Sequence, residues 1–259
     1  MRFCALGSGS KGNCYYIDND DDALLIDAGF NRKETLKRLN DVGLDISKIR
    51  AILVTHEHTD HVKGLASLST KDNIKVYAPH DCYLACINKL GNINYAGANK
   101  NYENGFSINN FQIKPFRTPH DSVYSVGYKI TFDGKSIAIA TDLGVVTNGV
   151  MKNLLGVDMA VVESNHDIEM LKNGKYPILL KKRILSNQGH LSNEACSRLI
   201  VELIKGGTKR FALAHLSEEN NLVALAYNEA DEMIHSADLA SGVELSVLEQ
   251  NAPSDIFII

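Results

Sequence analysis

Short apolar runs and helical repeats alternate along most of the chain. Residues 2–6, 14–18 and 23–27 are apolar and separated by Gly, Asn and Asp, a pattern that predicts short strands joined by tight turns. In 34–43, Leu36, Leu39 and Val42 recur at helical spacing and Gly43 follows as a stop. A strand is predicted at 51–55, a short helix after His61, a strand at 75–78 and a helix near 80–90. A β-rich middle covers 106–116, 124–132 and 135–141, with Asp133-Gly134 as a two-residue hairpin signal between the last two. The final third predicts strand 159–163, helix 193–204, strand 211–215, helix 221–234 and strand 243–249. No solenoid period and no Pro/Ser-rich linker interrupts this order, so two β-plus-α halves packed as one unit over 1–259 is the expected architecture.

Composition narrows the classes. Of 259 residues, 44 % are hydrophobic, and 27 Lys and Arg against 31 Asp and Glu leave a formal charge of −4. Apolar content of that size excludes disorder. The isoelectric point near 6.1 excludes a generally basic nucleic-acid coat protein. The apolar runs are of strand length, so no membrane helix is expected. Cys4, Cys14, Cys82, Cys86 and Cys196 form no CxxC pair and predict buried thiols in a reducing cytosol. The opening MRFCALGSGSKGN does not have the pattern of a signal peptide.

The chemistry is concentrated in Thr55-His56-Glu57-His58-Thr59-Asp60-His61, directly after an apolar strand. Four imidazole and carboxylate donors in six positions at a strand end suit a bound zinc, manganese or iron ion. Asp27, His120, Asp142 and His215 each close or follow an apolar strand as well, where one sheet edge can present them together. Gly7-Ser8-Gly9-Ser10-Lys11-Gly12-Asn13 follows the first strand and offers backbone N–H groups and hydroxyls suited to phosphate. Ser164-Asn165-His166-Asp167 follows strand 159–163, and Gly189-His190-Leu191-Ser192-Asn193 precedes a helix, with Ser192 or Asn193 as its N-cap. Between Glu169 and Glu194 there are five basic residues, Lys172, Lys175, Lys181, Lys182 and Arg183, and no acidic one.

This ordered set resembles the metallo-β-lactamase fold superfamily over nearly the whole chain. The resemblance implies an α/β protein, a four-layer αββα sandwich carrying two divalent metal ions. His56, His58 and His120 would hold the first ion, Asp60, His61 and His215 the second, with Asp142 between them and Asp27 orienting the histidines from behind. Five neutral imidazoles and two carboxylates around two divalent ions would leave a net charge near +2, favourable to an anionic substrate. His58 stands where the redox diiron branch has Glu, and Asp142 where many β-lactamases have Cys, so electron transfer and antibiotic hydrolysis are disfavoured.

The combination SGSKGN, HxHxDH, SNHD, GHLSN and AHLSEEN resembles the bacterial YycJ or WalJ family of 5′-to-3′ DNA exonucleases linked to DNA repair. That likeness implies a cytosolic phosphodiesterase whose metal-bridging hydroxide attacks phosphorus. Asp60 and Asp142 would position the hydroxide, and His190 or His166 would act on the phosphoryl or leaving oxygen. Ser8, Ser10, Lys11, Asn13, Asn165 and Ser192 would meet the phosphates of the DNA substrate. GHLS is also similar to a motif of the β-CASP branch, but the interval from Asp142 to His215 is too short for that branch's full insertion. The same metal shell would serve a cyclic phosphodiesterase, thioesterase, lactonase or RNA-processing nuclease, and metal identity and oligomeric state are left open.

Overall fold

The computed structural model describes residues 1–97 and 102–259. β1 (Arg2–Gly7), β2 (Cys14–Asp18), β3 (Ala23–Ile26), β4 (Ile49–Leu53), β5 (Lys75–Tyr77) and β13 (Phe257–Ile258) form one mixed sheet, in the order β13-β1-β2-β3-β4-β5. The second sheet contains β6 (Phe106–Ile108), β7 (Phe111–Arg117), β8 (Val126–Phe132), β9 (Lys135–Ala140), β10 (Met159–Glu163), β11 (Arg210–Ala214) and β12 (Glu244–Val247), in the order β12-β11-β10-β9-β8-β7-β6.

Strand alternation builds the layers. In β1, Phe3 and Ala5 face the space between the sheets, where they join Tyr15, Ile17, Tyr128, Ile139 and Val161. Cys4 and Leu6 point the other way, under α1 (Arg32–Asp41), α2 (Thr59–Val62), α3 (Leu65–Lys71) and α4 (His80–Leu90), with Leu39, Val62, Leu68 and Cys82. The outer face of the second sheet is covered by α5 (Asn148–Leu154), α8 (Asn193–Lys205) and α9 (Val223–Ser236) through Val150, Leu199 and Ala230. Sheets buried on both faces explain why the strands read as unbroken apolar runs. All five cysteines are buried and free.

Three differences from the predicted elements have local causes. The stretch 106–116 is a hairpin, β6 and β7, turned at Asn109-Asn110 with Asn109 at φ 48°. Asn tolerates that left-handed conformation, as Asp133 and Gly134 do at the predicted turn (φ 48° and 74°). α2 begins at Thr59, ahead of His61. Finally, α5, α6 (Ile168–Asn173), α7 (Ile178–Ile184) and β13 were not expected, because each is too short to show a period.

Strand direction gathers the site. β3 and β4 are parallel, as are β9, β10 and β11. β7 and β9 both pair antiparallel with β8 and so run the same way. The C-terminal ends of these strands therefore meet at one rim, where Asp27, His56, His120, Asp142, Glu163 and His215 emerge.

Candidate metal centre

The backbone at this rim is held in conformations that side chains rarely adopt. Asp27, Asp142 and His215 lie at φ 61°, 55° and 56°. Such turns cost an L-residue roughly 1–2 kcal/mol, less for Asp, and they swing each side chain out of its strand direction. α2 itself is pinned by Asn13 N donating to Asp60 O (2.8 Å) and Ala28 N donating to His61 O (2.7 Å). Gly29 is required there, since a Cβ would overlap the Asp60 carbonyl.

His56, His61 and His120 are each oriented through the nitrogen they do not present to the cluster. His61 Nδ1 donates to Asp27 Oδ2 at 2.7 Å, leaving Nε2 facing Asp142 Oδ2 at 3.2 Å and Asp60 Oδ2 at 3.4 Å. His56 Nδ1 donates to Thr55 Oγ1 (3.0 Å), whose hydroxyl donates in turn to Asp27 Oδ2 (2.8 Å). His120 Nδ1 donates to Gly189 O at 3.1 Å. The remaining His56 Nε2 and His120 Nε2 converge on His58 Nδ1 at 3.1 and 3.2 Å.

Three lone pairs aimed at one point repel unless a cation lies between them. Tetrahedral zinc with nitrogen at about 2.0–2.1 Å would set such nitrogens roughly 3.3 Å apart, close to the spacing found. Asp60, His61 and His215 form a second compact donor group, and Asp142 borders both. Asp142 Oδ2 is buried and receives no hydrogen bond among the described residues. This donor set fits two divalent cations.

Sequence reasoning did not select Glu163. It is completely buried at the end of β10. Its Oε1 accepts from His190 Nδ1 at 2.7 Å and from His215 Nδ1 at 3.0 Å, while Oε2 accepts from Leu143 N (2.8 Å) and Leu191 N (3.1 Å). It therefore ties His190 to His215. The signal was present, for a carboxylate closing an apolar strand is the same pattern that pointed to Asp27 and Asp142.

The electrostatics show a demand for positive charge. Burial opposes a proton on His215, yet Asp142, Asp60 and Glu163 push its pKa up to about 10. Burial likewise opposes charge on His190 and is outweighed by Glu163. Burial raises the Glu163 carboxyl, but His190 and His215 bring it down to about 2. His56 is held well below its ordinary value by burial and then by the neighbouring His61, which outweigh Asp142.

A cavity of about 270 Å³ opens over these groups, lined by His58, Asp60, Asp142, His190 and His215 and walled by residues of α7. Of the residues expected to meet phosphate, Ser10 and Asn165 line it. Lys11 is exposed and paired with Glu218 at 2.5 Å. The others have different places. Ser8 is buried and accepts from His215 N (2.8 Å), and Asn13 is buried with Nδ2 3.1 Å from His61 Nε2. Ser192 caps α8 through Ala195 N. His166 is buried and does not line the cavity, and neither of its ring nitrogens is hydrogen-bonded among the described residues.

Two sheets covered by helices and a rim of histidines and carboxylates define a metallo-hydrolase fold. The chain belongs to the beta-lactamase superfamily, whose domain model matches residues 23–216. It is 34 % identical to "Exodeoxyribonuclease YycJ" of Bacillus anthracis, covering 93 % of this chain and 92 % of that one. Identity to "Exodeoxyribonuclease WalJ" of Streptococcus pneumoniae is also 34 %, over 96 % and 94 % of the two chains. Among solved structures, the metallo-beta-lactamase fold protein YhfI from Bacillus subtilis superposes with a TM-score of 0.73, at 17 % identity and 98 % coverage of both chains. No helix among the described residues is long and apolar enough to cross a membrane.

Proposed function

We propose that the chain is a divalent-metal-dependent exodeoxyribonuclease that degrades DNA from a 5′ end, acting in the cytosol on repair intermediates as one unit over 1–259. The observation that carries the reading is the pair of donor groups bordered by Asp142, beside a cavity open to solvent. The printed names of its relatives over nearly the whole chain support the same chemistry.

His56, His58 and His120 would hold one ion, Asp60, His61 and His215 the other, and Asp142 both. When bound, two divalent cations of zinc, manganese or iron type lower the pKa of water and neutralise phosphate charge. The chain's own residues do the rest. Asp27 and Thr55 fix the tautomers of His61 and His56, so that their lone pairs face the cluster. His190 lines the cavity, and its Nδ1 is held by Glu163, which keeps Nε2 available to give a proton to the leaving sugar oxygen. Ser10 and Asn165 offer hydrogen bonds to phosphate from the wall.

The test pairs metal analysis of protein purified without chelators with digestion of 5′- and 3′-labelled duplex DNA. The expected result is about two divalent ions per chain and early release of the 5′ label only. Metal-loaded protein that leaves DNA intact while hydrolysing a thioester would overturn the proposal.

A further inference from the structure

Between β10 and α8 the chain leaves the sheet and folds α6 and α7 over the rim. One face of α7, with the residue just before its N-cap, forms a cavity wall through Tyr176, Leu180, Arg183 and Ile184. The other face carries Ile178, 71 % exposed, and Leu179, 81 % exposed. Leu180 and Ile184 already supply the helix's inward apolar contacts, so packing does not account for the outward pair. Neighbouring exposed apolar side chains beside a functional cavity mark a contact surface.

The surrounding charge selects the partner. No acidic residue occurs from 170 to 193. Lys172 pairs with Glu169 and Arg183 with Asp121, but Lys175 and Lys182 have no acidic partner among the described residues. An apolar tip flanked by free cations matches a nucleic-acid end, which offers flat base faces between phosphates. Ile and Leu are among the side chains that wedge between bases and unstack them.

We propose that Ile178 and Leu179 form a wedge that opens the terminal base pair of duplex DNA, so that one strand passes under α7 into the cavity while Lys175 and Lys182 hold the backbone. Leu179 immediately precedes the cavity-lining Leu180, so the point of strand separation would lie about one helix width, roughly 10 Å, from the cavity. The inference rests on the nuclease reading above and adds how a duplex end is engaged.

The experiment compares the native chain with Ile178→Ser/Leu179→Ser and with Leu179→Ser alone on three oligonucleotides: single-stranded, blunt duplex, and duplex with an unpaired 5′ end. The double variant is expected to lose about tenfold or more on the blunt duplex, to match the native rate on the single strand, and to recover on the pre-opened end. The single variant should lie between, with an unchanged circular dichroism spectrum. Equal losses on all three substrates, or no loss on the duplex, would overturn the wedge. A change from dimer to monomer in light scattering with duplex digestion intact would instead assign the patch to a second copy of the chain. Native protein that digests single strands but no duplex sinks the wedge alone, whereas native protein that digests no DNA sinks both readings.

Discussion

Replacing Glu163 by Gln tests how the site sets its histidines. The side chain keeps its shape but exchanges one carboxylate oxygen for an amide NH₂. Leu143 N and Leu191 N both donate to Oε2 at 2.8 and 3.1 Å, so the Gln oxygen must stay there. The NH₂ then faces His190 Nδ1 and His215 Nδ1, which donate to Oε1 at 2.7 and 3.0 Å in the native chain. Donors would oppose donors, and both rings must shift their protons to Nε2. His215 Nε2, which faces Asp60 Oδ2 at 3.6 Å, would then lose the lone pair it offers. Two hydrogen bonds to a charged group, about 1.5–3 kcal/mol each, give way to neutral ones of about 0.5–1.5 kcal/mol. The net loss of about 2 kcal/mol falls within the 10–100-fold range typical of residues that orient metal ligands. Metal affinity, measured by competition with a chromophoric chelator, should drop by that range, and the DNA digestion rate with it. Folding stability without metal should fall as well, because removing one partner of a buried ion pair leaves the charge on His190 and His215 uncompensated. Affinity and rate both within about twofold of native would refute the orienting role.

Asp142→Asn should lose metal and activity together, and a metal-depleted variant that digests DNA at the native rate would contradict the shared-ligand assignment. His190→Ala should keep its metal by elemental analysis while turnover falls about 10²–10⁴-fold. His166 is 1 % exposed, and burial lowers its pKa from 6.5 to about 4. The unfolded chain therefore binds the extra proton between those values, and stability rises with pH across that window. The contribution is lost on acidification by up to about 3 kcal/mol. His166→Gln should flatten the difference between urea midpoints at pH 5 and pH 7, and an unaltered difference would rule the residue out. Gly29→Ala should destabilise by about 1–3 kcal/mol and lower metal affinity, because the new Cβ displaces the Asp60 carbonyl; a native melting temperature would count against that reading.

What could be read from the chain follows a physical divide. Strands covered on both faces are apolar without interruption, so the residues that end them stand out. Asp27, His120, Asp142 and His215 were legible for that reason, and Glu163 obeys the same rule. Burial of polar side chains is not written in composition. Ser8 and Asn13 sit in a Gly-rich loop that reads as solvent-facing, yet the loop folds back on the rim, where Asn13 Oδ1 accepts from Gly9 N at 3.0 Å. The α6–α7 segment was legible only as a basic stretch. Helices of six and seven residues are too short to show a period, and their fold over the rim is tertiary.

The net charge of −4 looks ill suited to a DNA substrate, and the rim sharpens the difficulty, since Asp27, Asp60, Asp142 and Glu163 are buried or nearly so around one cluster. Left to itself, that cluster would repel phosphate. It holds protons on His215 and His190 against burial, so its demand is for cations, and divalent ions meet that demand in full. Attraction for phosphate then depends on bound metal at the point of cleavage and on a few free lysines of the covering segment. A site arranged in this way would concentrate its hold on phosphate at the point of cleavage and leave the rest of a duplex weakly held, a distribution that suits the proposed removal of nucleotides from an end.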